Sequence, residues 1–249
     1  MDAKPVGAEF LTTQRYEAYT EEDHEVWGLL YSRSMERLRE NGSGVYLRGA
    51  EKIGLAQDRV PHLDDVNRRL GRLTGWRAIP VTGFMPAGEF FGCLAQRRFP
   101  TTITLRSKAQ LDYLEEPDIF HDVFGHVPLH ADPLFADFLQ RFGEVAASAD
   151  SEEDVTRMAR LFWFTVEFGL VREDGQTKVY GSGLISSHGD AANALGPNCD
   201  RRPFSLDEVL DQHFEIDRFQ DVLFVVEDFQ HLFVAVEEAK ARLQASSRS

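Results

Sequence analysis

Cysteine is almost absent from this chain: Cys93 and Cys199 are the whole complement in 249 residues. Two thiols in a chain this long make no disulfide framework, so the cytoplasm is the expected compartment. Basic charge is also short. Lys and Arg number 27 against 41 Asp and Glu, giving a net charge of −14. Nucleic acid and anionic membranes both need a basic surface, and the deficit argues against either as a partner. It says little about a small-molecule substrate. No apolar run approaches the ~18 residues that suggest a spanning helix. The opening text, Met1-Asp2-Ala3-Lys4-Pro5, lacks the shape of a signal peptide. Repeats, low-complexity blocks and a convincing linker are missing too, which leaves one mostly helical domain over 19–245 behind a loose arm at 1–18.

What is present is apolar and aromatic. Hydrophobic residues make up 43% of the chain, and 19 are Phe. Thr20, followed by Glu21, Glu22 and Asp23, reads as a helix start, with Trp27, Leu30, Tyr31, Met35 and Leu38 at helical spacing behind it. Further helices are expected near 47–56 and over 63–73, 89–97, 133–148, 155–170, 205–210 and 231–244. Short strands are expected at 77–81, 99–106, 178–181 and 222–226. Glu173-Asp174-Gly175 signals a hairpin. The Gly/Ser text at 183–190 reads as a loop, and 190–204 as irregular. The class is therefore mainly α with a few short β-strands.

Two stretches carry chemistry. His121 and His126 lie five residues apart with apolar residues filling most of the gap. Glu167 is a single carboxylate inside the run Leu161-Phe162-Trp163-Phe164-Thr165-Val166-Glu167-Phe168-Gly169-Leu170. A helix that is apolar all round is buried, and a buried carboxylate must be protonated, paired or bound to a cation. Alone, the histidine pair is a weak signal and the Glu reads as a salt-bridge partner. Together they point to iron or zinc. Two imidazoles, one carboxylate and open positions make the facial triad of non-haem Fe(II) oxygenases. Residues five apart on an α-helix point ~140° away from each other, so one ion can reach both only if the helix breaks, and Gly125 allows a break. A zinc hydrolase is the competing reading, but His-Glu-x-x-His is not present: Asp122 follows His121, and His126 is one residue too far. A non-catalytic helical interaction protein would favour an apolar residue at Glu167.

Four motifs in order then resemble the pterin-dependent aromatic amino acid hydroxylases, most closely the short bacterial phenylalanine 4-hydroxylases. They are Glu116-Pro117-Asp118-x-x-His121, Phe124-Gly125-His126-Val127-Pro128, Trp163 to Leu170, and Tyr180-Gly181-x-Gly183-Leu184-x-Ser186-Ser187. The shared text runs from Tyr19 to Gln220. The resemblance implies that family's catalytic-domain fold and a monooxygenase that makes L-tyrosine from L-phenylalanine, the first step of phenylalanine degradation. It implies Fe(II) on His121, His126 and Glu167, with O2 as co-substrate. Tetrahydrobiopterin or a bacterial analogue would lie against Gly83, Met85, Phe90, Asp122 and Phe162. Arg106 would hold the substrate carboxylate, while Tyr113, Pro117, Trp163, Gly183, Ser186 and Ser187 would wall the amino acid pocket. Ser186 would also support a ligand histidine. Tryptophan, or another carbon of the phenylalanine ring, is the alternative within the family. Two positions depart from the animal enzymes: Asp122 stands where they carry Glu, and Phe162 where they often carry Tyr. No text matches the family's regulatory domain or tetramerisation helix, so a monomer without phenylalanine gating is expected.

Overall fold

Thr20 starts the first helix as its sequence predicts. Its hydroxyl accepts from the Asp23 N–H, and the Asp23 carboxylate accepts from the Thr20 N–H, closing a reciprocal cap at the head of α1 (Glu21–Asn41). The computed structural model describes residues 6–112 and 116–246. After α1, Ser43 caps α2 (Gly44–Ile53), so this helix begins before the expected 47. Then follow α3 (Leu63–Leu73), β1 (Arg77–Pro80), α4 (Ala87–Ala95) and β2 (Arg98–Thr101). Beyond the segment that carries both histidines come α5 (Pro133–Ala146), α6 (Glu152–Phe162), β3 (Leu170–Glu173) and β4 (Gln176–Val179). The chain continues through α7 (Ser182–Ser186), α8 (His188–Leu195), β5 (Asp200–Pro203), α9 (Leu206–Asp211), β6 (Val222–Val226) and α10 (Phe229–Ser246). Strands β1 and β2 pair in parallel, and a second sheet has the order β4-β3-β6-β5. Asp174 and Gly175 both take positive φ in the β3–β4 turn, the hairpin read from the sequence. No described helix is long and apolar enough to cross a membrane.

Four expectations are corrected by the structure. Residues 6–18 are no loose arm: Gly7 N–H donates to the Glu89 carboxylate at 2.7 Å, Leu11 bridges to Val81, and Val6 and Phe10 cover a small apolar cluster around Met85 and Cys93. The strand at 99–106 ends at Thr101. Beyond it, side chains replace a ladder partner: Asp122 accepts from the N–H of Thr102, and Asp118 from that of Arg106. The Gly/Ser text from 183 and the irregular stretch to 204 form α7, α8 and β5. Arg37 donates to the Leu184 and Ile185 carbonyls at the end of α7, and Ser187 accepts from Asp190 N–H at the head of α8. The glycine here serves close approach: a Cβ on Gly181 would lie 2.5 Å from the Glu167 carbonyl oxygen.

The fourth correction concerns the two chemical stretches. Residues Phe120–His126 and Trp163–Glu167 are π-helical, and the expected helix 155–170 changes from α to π at Trp163. Phe168 N–H bonds the Trp163 carbonyl at 2.8 Å, five residues back. Such turns are rare and occur as single wide loops of helix. The widening, and no break at Gly125, brings residues five apart to one side. Gly125 is needed for another reason: a Cβ there would lie 3.1 Å from the Ser182 carbonyl oxygen. The wide turn is braced by α2. Tyr46 O–H donates to the Phe124 carbonyl at 2.7 Å, and Gly49 lets Pro128 pack so close that a Cβ would meet its oxygen at 2.0 Å. The wide turn at 163–167 also separates Arg160, Trp163 and Glu167, which the spacing of a regular α-helix would put on one face. Arg160 donates to the Leu210 carbonyl, and Trp163 turns to Phe214.

Candidate metal centre and its pocket

The two π-turns bring His121, His126 and Glu167 together. One ligand atom from each lies within 4.8 Å of the others. His126 Nε2 stands 3.1 Å from Glu167 Oε1, and His121 Nε2 stands 3.6 Å from Oε2. Ligands at right angles around an ion at ~2.1 Å stand ~3 Å apart, so the set fits one small divalent cation. Two borderline imidazole nitrogens and one hard carboxylate oxygen make a mixed set suited to iron or zinc.

The surroundings aim these atoms. Ser186 O–H donates to the Ser182 carbonyl at 2.8 Å, so its oxygen is left to accept from His121 Nδ1–H at 2.9 Å. That puts the His121 proton on Nδ1 and leaves the Nε2 lone pair facing the site. Ser182 O–H donates to Glu167 Oε2 at 2.6 Å. Burial pushes the Glu167 carboxyl up, but His126, His121 and Ser182 together hold it at about 2. It stays ionised, as a ligand requires. His126 is 4% exposed and packs on the Phe99 ring at 4.6 Å.

Asp118 organises the other side. Its buried carboxylate accepts from Arg106 N–H, Nε and Nη2, and from the His121 N–H. Burial opposes its charge, yet the Arg106 guanidinium beside it holds the carboxyl below the usual range. Arg106 Nη1 has no hydrogen bond to a described residue, and the guanidinium carbon lies 5.9 Å from the Phe120 ring centre. Asp122 is buried and its Oδ2 accepts from both the N–H and O–H of Thr102. Burial raises its pKa, and the nearby imidazoles and Thr102 offset only part of the rise.

The predicted pterin residues divide by location. Phe90 and Phe162 meet edge to face at 5.4 Å, and Phe162 lies parallel to His126 at 6.5 Å. Gly83 takes φ +155 with open space where a Cβ would go. The Met85 side chain is turned into the apolar cluster with Cys93. Of the predicted amino acid pocket, Trp163 is half-buried, and Gly183 sits so near Phe168 that a Cβ would lie 2.9 Å from the ring. Ser186 touches His121, whereas Ser187 spends its oxygen capping α8. Pro117 is exposed, and Tyr113 lies outside the described residues. Sequence reasoning assigned no role to Asp118 or Ser182. The signal for Asp118 was an acid at the mouth of a buried apolar run; Ser182 carried none beyond its place between two glycines.

Residues 13–246 match the model of the biopterin-dependent aromatic amino acid hydroxylase family. A phenylalanine-4-hydroxylase of Mesorhizobium japonicum is 43% identical over 211 residues, which span 84% of this chain and 76% of that protein. The Chromobacterium violaceum phenylalanine hydroxylase with bound iron(III) and 7,8-dihydrobiopterin superposes with a TM-score of 0.90 at 38% identity, over 98% of this chain and 88% of that one. The iron- and phenylalanine-bound form of the C. violaceum enzyme gives a TM-score of 0.88 at 35% identity, over 96% and 88%. The chain belongs to the biopterin-dependent aromatic amino acid hydroxylases.

Proposed function

We propose that this chain is a phenylalanine 4-monooxygenase: it uses ferrous iron, a tetrahydropterin and O2 to convert L-phenylalanine to L-tyrosine, the first step of phenylalanine degradation. The observation that carries this reading is the convergence of His121, His126 and Glu167 from two π-turns on one small volume. Ferrous iron and the reduced pterin supply the reducing power that activates O2, while the protein supplies placement and dryness.

The side chains then have separate tasks. His121 Nε2, His126 Nε2 and a Glu167 oxygen would hold the metal, a three-ligand set that would leave positions for O2. Arg106, fixed by Asp118, offers its free Nη1 edge to the substrate carboxylate through charge-assisted hydrogen bonds. Trp163, Pro117 and the 183–187 turn wall the amino acid. Phe90 would stack on the pterin ring, with backbone groups of Gly83 and Met85 reading its edge and Phe162 and Asp122 beside it. The Phe-rich surroundings exclude water from the reacting ring. The chain acts as a monomer in the cytoplasm. Its net charge of −14 opposes self-association, and Cys93 and Cys199 are buried unpaired thiols.

Anaerobic loading with Fe(II), followed by O2, tetrahydropterin and each aromatic amino acid in turn, tests the reading. Tyrosine from phenylalanine is the expected product by mass and retention time; a hydroxytryptophan or 3-hydroxyphenylalanine as main product would reassign the substrate or ring position. Glu167→Ala should bind no iron and make no tyrosine. Normal turnover by that variant would refute its place as a ligand.

A further inference from the structure

Gln220 is 7% exposed, and its amide has no rotational choice. Nε2 donates to the Glu215 carbonyl at 2.8 Å and the Arg218 carbonyl at 2.9 Å. Those two bonds force Oε1 the other way, where it accepts from the Trp163 indole N–H at 3.2 Å. The Gln220 carbonyl accepts in turn from Asn193 Nδ2 on α8 at 2.8 Å. The segment 212–221 has no helix or strand of its own and leaves Ile216 80% and Phe219 59% exposed. Gln220 is therefore the hydrogen-bonded link between this segment and the pocket, beside the stacking of Phe214 on Trp163. The indole it fixes is clamped on both faces, by Phe214 at 4.4 Å and 15° and by Phe168 at 4.6 Å and 33°.

We infer that Gln220 is a positioning residue which, by fixing where the Trp163 indole sits within its own plane, sets the width of the amino acid slot and so selects phenylalanine over the larger tryptophan. This rests on the monooxygenase reading above. Stacking alone lets the indole slide within its plane between two rings, and the N–H bond removes that freedom. A pocket discriminates by size only if its wall cannot yield.

The test is a cycle of Gln220→Met and Trp163→Phe in the iron-loaded protein. Gln220→Met should raise KM for phenylalanine about fivefold to twentyfold with a smaller change in kcat, and lower the phenylalanine-to-tryptophan ratio of kcat/KM about tenfold. Phenylalanine binding, followed by the part of the tryptophan emission change that Trp163→Phe abolishes, should weaken in parallel. In the Trp163→Phe background, which lacks the indole N–H, Gln220→Met should change the ratio by less than about twofold, because the two residues act as one. Asn193→Ala loosens the same segment while sparing both side chains, and should move the ratio the same way by a smaller factor even if Gln220→Met does not fold. An unmoved ratio in Asn193→Ala and Gln220→Met, or equal losses from Gln220→Met in both backgrounds, overturns the role of Gln220. Wild-type protein that leaves phenylalanine unchanged overturns the monooxygenase reading instead.

Discussion

Replacing Ser186 with Ala removes one oxygen and no packing of consequence, yet it should weaken iron binding by more than tenfold. Ser186 accepts from His121 Nδ1–H at 2.9 Å because its own proton is committed to the Ser182 carbonyl. Losing that bond costs ~1 kcal/mol of stability in metal-free and metal-bound protein alike, which leaves Kd unchanged. It also frees the neutral imidazole to carry its proton on either nitrogen, and an even choice of two costs metal binding ~0.4 kcal/mol, RT ln 2. The ring loses its orientation and Nε2 its added basicity as well, and removal of such a partner weakens metal affinity about 10- to 100-fold. Anaerobic calorimetric titration of metal-free protein with Fe(II) measures it, and the melting temperature of the metal-free variant checks that the fold is intact. An Fe(II) affinity within about twofold of the unaltered protein would refute the argument that this hydroxyl fixes the tautomer.

Other perturbations follow from the same contacts. Gly49→Ala drives a methyl into the Pro128 carbonyl and should cost about 1–3 kcal/mol of stability by denaturant unfolding. Tyr46→Phe leaves the buried Phe124 carbonyl without its donor; a loss of about 1–3 kcal/mol is expected, with weaker Fe(II) binding alongside. Asp118 has a folded pKa below its unfolded one, so the stability it adds is present above the ordinary carboxylate range and is lost as pH falls through the folded value. Asp118→Asn should therefore flatten the acid limb of an unfolding-against-pH curve below about pH 4, and an unchanged limb would show that the pair adds nothing there. Fe(II) added to metal-free protein should slow amide exchange across 121–126 and 163–168 more than in α1, as read by mass spectrometry.

The helices with clear ends were legible. Thr20 and its acids mark the start of α1, and α3 occupies Leu63–Leu73 as its apolar spacing indicates. The three metal-facing side chains were legible as types, because two imidazoles and a carboxylate inside apolar text are costly to bury unless a cation draws them together. The wide turns were not. Every residue from Asp122 to Ala131 is buried, so the text has no polar side from which to read a period. The parts of the site that depend on distant pairing were equally hidden. Asp118 meets Arg106 across 12 residues and Ser182 meets Glu167 across 15, and nothing local announces either bond. The Gly/Ser text at 183–190 reads as a loop, but Gly183, with Gly181 before it, serves close packing around Glu167.

The extra residue in the turn at Phe120–His126 has a bearing on any attempt to improve this protein. A helix that takes in one residue without completing another loop rotates all that follows by roughly 100°. Pro128 and the chain leading to Pro133 point where they do because of that offset. Deleting one residue between the histidines would mend the backbone and swing His126 away from Glu167. Regularity and aim are opposed at this spot, and an engineer who idealised it would obtain a sturdier rod with nothing at its focus.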